Sequence, residues 1–383
     1  MTIKTFIYFD KFQTEYVEII HLLQKIKNIE IINFICGLNT PLSIDGLIQF
    51  NGTLINAIQT TKCDTVIIFS LTNTSLEAII KLNSLTTHTF LILFPINVNV
   101  ATLEKISTFV NITLYTCLPL RHLLMIWKTY KKLTSNQSHE PLQCIEAKFI
   151  SPVLKQKNLV YGSTFETDIN LNNYFQLIIV DAIQFLSQRT VLKIQAIGKS
   201  MTAETDCNIK NDKYNHDYSI IIAHFKWTQH DKKKSPSSSS VYTNLPPRTA
   251  LIQIKSPPSV NGKIKFKIKI KSNVELITVD QDRLQIDGVD SETFDGDQSN
   301  SNNSHESFLS SSLFHQGAER FMKHIDYARQ HGAPRLIDVG TQNEEDSAVA
   351  KTSLIELSQL IQLCKVINTI KKAISSCQTI TVE

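Results

Sequence analysis

Residues 64–106 read DTVIIFSLTNTSLEAIIKLNSLTTHTFLILFPINVNVATLEKI. The pattern predicts a buried strand over Thr65–Phe69, a polar turn over Ser70–Ser75 and a helix over Leu76–Leu85. A second buried strand over Thr89–Leu93, a turn at Pro95 and a new helix from about Val100 complete the stretch. Short apolar runs bounded by turn residues and alternating with helical segments mark a parallel sheet covered by helices. Ligands of such sheets bind beyond the carboxyl ends of the strands. Ser70–Asn73 and Phe94–Asn97 therefore fall on the rim of any site.

The same alternation extends toward the N-terminus. Thr5–Phe9 reads as a first strand, Glu15–Lys27 as a helix, Ile29–Ile35 as a second strand and Leu47–Thr60 as a helix. On the other side, Asn111–Tyr115 reads as a strand, and CLPLRHLLMIWKTYKKL after it as a helix with a basic end. The expected first domain is a Rossmann-like α/β sheet over residues 1–140 with right-handed crossovers, closed by the polar linker Thr134–Glu140. Residues 141–383 change character. An apolar helix at Tyr174–Leu186 is followed by strands at Val191–Ile197, Tyr218–Trp227, Thr249–Lys255, Lys263–Ser272 and Glu275–Val279, with one more at Gln143–Ile150 before it. That is an α+β domain with an open, largely antiparallel sheet, completed by a long helix over Ser353–Ser376. Two polar, serine-rich inserts, 230–248 and 290–312, bury too little apolar area to offset ordering entropy and read as surface loops.

Composition narrows the function classes. The 383 residues carry a net charge of +4, too mild to imply a nucleic acid or a membrane surface as partner. No apolar run approaches the roughly 20 residues of a membrane span. The N-terminus lacks the apolar block of a signal peptide. The seven cysteines are scattered, odd in number and without a CxxC pair, which fits free thiols in a reducing, cytoplasmic setting and excludes a zinc pattern.

Four stretches, in chain order, resemble the glucose–fructose oxidoreductase/inositol dehydrogenase (Gfo/Idh/MocA) family. DTVIIFSLTNTSLEAIIKL is similar to that family's D-x-V-x-x-x-x-P-N-x-x-H strand–turn–helix, and TFLILFPINVNVATLEKI to its E-K-P segment. NLNNYFQLIIVDAIQFLSQ resembles its catalytic helix, and IKKAISSCQTITVE its closing segment. FISPVLKQKNLVYGSTFE is nearest to a fungal NADP-dependent subgroup. The resemblance implies a hydride-transfer enzyme using NADP or NAD. A glycine turn would admit the pyrophosphate, a Lys in E-K-P would assist, and an Asp and a His one helical turn apart would bind substrate and move its hydroxyl proton. It also implies a homodimer formed through the second sheet.

Carried over position by position, the chemistry is missing. The glycine turn falls at Phe9, Asp10 and Lys11, and Gly37 is the first glycine of the chain. The proline of the third turn is Leu71, and Glu-Lys of E-K-P is Leu93-Phe94 with only Pro95 kept. The Asp and His of the helix are Asn173 and Leu177. Loss of general acid–base groups removes about two to four orders of magnitude in rate. The expected protein is thus a pseudo-oxidoreductase with a binding, regulatory or scaffold role and a protein partner. It has no catalytic residues and no metal ligands. Any cofactor contact that survives falls to Asp10, Lys11, Phe12, Ser70, Asn73 and Pro95. Alternatives are a nucleotide sensor, or a working enzyme whose proton relay uses Arg121, His122 or Asp181. Arg121 and His122 otherwise read as a solvated helix start, Asp181 as a buried carboxylate, and His324 and Asp326 as surface residues of a late helix. Lys263, Lys265, Lys267, Lys269 and Lys271 alternate with apolar residues and share one sheet face. They read as a solvent face guarded against aggregation, and as an obstacle to pairing two copies there.

Overall fold

The computed structural model of the chain describes residues 2–9, 14–27, 29–36, 44, 46–61, 63, 65–70, 76–77, 79–81, 90–97, 99–108, 113–135, 144–150, 171–187, 190–200, 218–227, 249–255, 265–272, 275–280, 283–293, 312–331, 355 and 357–382. The chain divides into two compact units. One comprises Met1–Leu123, Tyr161–Ile178 and Ser312–Cys364, the other Leu124–Val160, Ile179–Ser311 and Lys365–Glu383.

The first unit holds a six-stranded sheet in the order β3-β2-β1-β4-β5-β6. Its strands are β1 (Ile3–Phe9), β2 (Ile29–Cys36), β3 (Ile48–Gln49), β4 (Thr65–Ser70), β5 (Phe90–Asn97) and β6 (Thr113–Thr116). Every neighbouring pair is parallel. The chain starts in the middle, winds to one edge and returns to wind to the other, so β1 and β4 flank the switch point. Phe6, Ile7 and Phe9 of β1 and Val66–Phe69 of β4 are fully buried, as expected for strands covered on both faces. Helix α1 (Thr14–Gln24) buries Tyr16, Ile19, Ile20 and Leu23, the spacing of one helical face.

Two local expectations change here. Leu47–Thr60 is not one helix. Ile48–Gln49 forms β3, and α2 (Leu54–Thr61) starts only after Asn51-Gly52, with Thr53 capping it through its Oγ1 to the Asn56 N–H. Pro95 is not in a turn either, because β5 continues through it to Asn97. The ladder to β4 steps from Ile68·Leu93 to Ser70·Asn97, so Phe94, Pro95 and Ile96 lie opposite Phe69 alone. The ladder from β5 to β6 ends at Leu93·Thr116. A proline is tolerated there because its missing N–H interrupts no bond of the ladder. Beyond this bulge, Asn99 caps α3 (Val100–Ile106), its Oδ1 accepting from the Ala101 N–H at 2.9 Å.

The second unit holds a nine-stranded sheet, β14-β13-β12-β11-β7-β10-β9-β8-β15. The strands are β7 (Cys144–Ile150), β8 (Val191–Ser200), β9 (Tyr218–Trp227), β10 (Thr249–Lys255), β11 (Lys265–Lys271), β12 (Leu276–Asp280), β13 (Arg283–Ile286), β14 (Val289–Thr293) and β15 (Ile380–Thr381). Only β7 and β10 run parallel. Helix α4 (Leu124–Ser135) packs on β12 and β13. Its Trp127 and Tyr130 stack on Phe185 of α5 (Leu171–Ser187), Tyr130 at 4.2 Å between ring centroids. The helix expected from Cys117 instead breaks at Leu123, whose extended backbone separates a 3₁₀ turn (Pro119–His122) from α4. Thr134 and Ser135, expected in a linker, complete α4, while 136–140 lie outside the described residues.

Asp290–Thr293, expected in a loop, belong to β14. Asp287 (φ 48°) and Gly288 (φ 84°) form the two-residue turn that pairs β14 with β13, an Asp-Gly signal that is legible in the sequence. The rest of that insert up to Ser311, and the insert 230–248, lie outside the described residues. Lys265, Lys267, Lys269 and Lys271 are exposed, and Phe266, Ile268 and Ile270 are buried beneath them. Strand β11 lies inside the sheet between β12 and β7, and its lysines form the solvent face expected of an open sheet. Among the described cysteines, Cys63, Cys117 and Cys364 are buried free thiols, whereas Cys377 is exposed. No helix among the described residues is long and apolar enough to cross a membrane.

Candidate functional site: the carboxyl edge of the parallel sheet

Parallel strands aim their carboxyl ends at one rim, here Phe9, Cys36, Ser70, Asn97 and Thr116. Of the sequence candidates, Asp10, Lys11 and Phe12 directly follow β1 and Asn73 follows β4, and all four lie outside the described residues, as does Leu71. Ser70 closes β4 opposite Asn97, and Pro95 stands in the bulge of β5. The fold therefore brings the ends of β1, β4 and β5 to one rim.

What fills the switch point beneath that rim is a set of aromatic rings. Phe9 ends β1, Phe34 lies near the end of β2, Phe69 near the end of β4, and Tyr16 in the first turn of α1. All four are 0% exposed. Phe9 stacks on Phe34 at 5.7 Å and meets Tyr16 at 5.8 Å and Phe69 at 6.4 Å, while Tyr16 and Phe69 are 4.8 Å apart. A dinucleotide fold needs glycine in this place, because only a bare backbone lets the pyrophosphate approach the helix N-terminus. Here a phenylalanine that contacts three other rings takes the first position of that turn. These residues do not fit a pyrophosphate cradle.

On the far side of the sheet, β6 runs into a buried segment. Thr116 N–H donates to the carbonyl of Ile355, an isolated bridge at the outer edge. The Tyr174 hydroxyl donates to the Cys117 carbonyl at 3.1 Å. Burial pushes the Cys117 thiol and the Tyr174 phenol up, so both stay protonated and Cys117 offers no thiolate nucleophile. A Tyr174→Phe variant leaves that carbonyl buried and unpaired. We expect a loss of about 1–2 kcal/mol, read as a lower urea midpoint.

The 3₁₀ turn follows, with Arg121 6% and His122 1% exposed. Both were expected at a solvated helix start. Helix α6 (Ser312–His331) covers them, and no local pattern in the sequence announces it. Gly317 makes the close approach possible: a Cβ there would lie 2.3 Å from the Pro119 carbonyl oxygen. The His122 ring meets Phe321 at 5.5 Å and His324 at 5.1 Å. His324 is 4% exposed, not a surface residue, and Asp326 has one carboxylate oxygen buried. Burial, with smaller contributions from His324, Arg121 and Arg320, pushes the His122 imidazole well below the usual histidine range.

At the positions of the resemblance's catalytic helix, Asn173 lies in the first turn of α5 and Leu177 is 4% exposed. Asp181, one turn further on, is 1% exposed and is the buried carboxylate expected. Leu93 and Phe94 lie in β5. No cluster of metal-ligating side chains occurs among the described residues.

The parallel sheet wound 3-2-1-4-5-6, followed in sequence by an open, mostly antiparallel sheet, is a fold this chain shares with solved dehydrogenase structures. Among solved structures, a probable dehydrogenase from Thermotoga maritima matches 99% of this chain over 99% of its own, at 12% identity and a TM-score of 0.63. Scyllo-inositol dehydrogenase from Lactobacillus casei, solved with NAD(H) and scyllo-inositol, matches 100% over 99% at 13% identity and a TM-score of 0.62. Myo-inositol 2-dehydrogenase from Lactobacillus plantarum matches 100% over 100% at 11% identity and a TM-score of 0.60. The likeness is one of fold. No protein-family model matches the chain, and neither does any curated protein sequence.

Proposed function

We propose that this chain is a pseudo-oxidoreductase: a non-catalytic binding protein, regulatory or scaffolding, built on a dehydrogenase fold. The observation that carries this reading is the ring cluster of Phe9, Tyr16, Phe34 and Phe69 at the switch point. It occupies the place where the fold's cofactor needs bare backbone. The substitutions agree with it. Leu93-Phe94 and Asn173/Leu177 stand where the resemblance calls for Glu-Lys and Asp/His, and neither Phe94 nor Leu177 can exchange a proton. Calorimetric titration with NADH and NADPH tests the reading. We expect no binding at about 1 mM ligand, that is, affinity weaker than roughly −4 kcal/mol. A dissociation constant in the low micromolar range would sink the claim that the cradle is lost.

A second reading, a dinucleotide sensor or an active NAD(P)-dependent oxidoreductase acting on a sugar, polyol or small aldehyde, has one observation behind it. The chain matches over its full length structures solved with NAD(H) and scyllo-inositol, and with NAD. If dinucleotide bound, Asp10, Lys11, Phe12, Ser70, Asn73 and Pro95 would be the residues nearest it, by their positions at the strand ends. Turnover of a polyol would then separate enzyme from sensor.

A further inference from the structure

We propose that the seat of α6 on the Pro119–His122 turn is an acid-released latch with His122 as its trigger. The geometry is specific. His122 is 1% exposed, and neither of its ring nitrogens has a hydrogen-bond partner. Its ring is clamped by two α6 side chains, Phe321 at 5.5 Å and His324 at 5.1 Å. The clamp closes because Gly317 lets the α6 backbone touch Pro119.

A neutral imidazole is tolerated in such a place, since ring contacts offset part of its desolvation. A charged one is not. The groups that act on it are cationic when charged: His324 and Arg320 from α6, and Arg121 from its own turn. The acid of α6 nearest in sequence to Arg320, Glu319, is engaged with Lys323 at 3.0 Å. Helix α1 also touches α6, and its described titratable side chains, Tyr16 and His21, are not among the groups that act on His122. From α5, the Tyr174 hydroxyl is neutral and committed to the Cys117 carbonyl. Protonation of His122 therefore drives the ring toward water, and α6 is the element that must move.

The sign follows from linkage. A group that binds protons less readily when seated than when released makes release easier as pH falls below its ordinary value of about 6.5. With the seated form neutral throughout, the release equilibrium rises about tenfold between pH 7.5 and pH 5.5.

Hydrogen–deuterium exchange on the full chain, corrected for intrinsic rates, reads this directly. Amides of Ser312–His331 are expected to open about tenfold more at pH 5.5 than at pH 7.5, and those of β1 and β4 to change less than twofold. His122→Phe keeps the ring contacts and removes this titration, so the rise in α6 opening should fall well below tenfold over this range. Should that variant not fold, His122→Gln, neutral at every pH, takes its place. PH-independent α6 exchange in the wild type, an equal rise across β1 and β4, or the same rise in the His122 variants each overturns the proposal.

Discussion

A Phe9→Ala variant is expected to lose about 3–5 kcal/mol of stability, read as a drop in urea midpoint, and to gain no affinity for NADH or NADPH. Phe9 is fully buried and joins Phe34, Tyr16 and Phe69, so truncation opens a cavity among rings held by β1, β2, β4 and α1. Such a site collapses poorly, because each neighbour is fixed by a different element. Ring pairs add about 0.5–1.5 kcal/mol each beyond their buried area, which places this change at the costly end of aromatic truncations. The binding half follows from the remaining residues. Removing one ring restores neither the second glycine position nor its backbone N–H access, since Asp10 and Lys11 still follow. A small loss of stability would mean that the cluster is not a core. Tight NADH binding by Phe9→Ala would mean that the ring alone had blocked the cradle.

The second large effect is expected at Gly317. Gly317→Ala places a methyl group 2.3 Å from the Pro119 carbonyl oxygen and 2.6 Å from its Cβ. Neither is the end of a flexible side chain, so helix or turn must shift. Overpacking of this kind costs about 1–3 kcal/mol. The loss should appear at neutral pH as raised exchange over Ser312–His331, with the second unit's sheet unaffected. A neutral Gly317→Ala would show that the α6 contact is loose, and would weaken the case for a tightly seated His122.

The sequence is legible where one local pattern decides the structure. Alternation in KFKIKIK predicts both the strand and its exposed lysine face, and Tyr218–Trp227 and Thr249–Lys255 are strands at the expected bounds. Pro95 misleads because proline usually marks a turn, whereas a bulge of three residues against one accepts it inside a strand. Ile48–Gln49 is too short to carry a period of its own, so it is absorbed into the helix that follows. The burial of Arg121, His122 and His324 is illegible for another reason: the partner that covers the turn lies far away in sequence. The ring cluster fails the same way. Each of its aromatics looks like an ordinary core residue of its own element, and only the winding of the sheet gathers them at the switch point.

The bridge from Thr116 to Ile355, together with α6 on the 3₁₀ turn, fixes the order in which this protein can be completed during synthesis. The parallel sheet is finished in sequence once β6 has been made, yet its outer edge and the Pro119–His122 turn stay uncovered until Ser312–Ile355 follow. Domains usually fold as units, N-terminal first, as the chain emerges. This one must wait until the chain has been made through Ile355, holding that turn and an open strand edge exposed in the meantime. A nascent chain stalled just after α4 should therefore be a strong client of chaperones, whereas the finished chain should not.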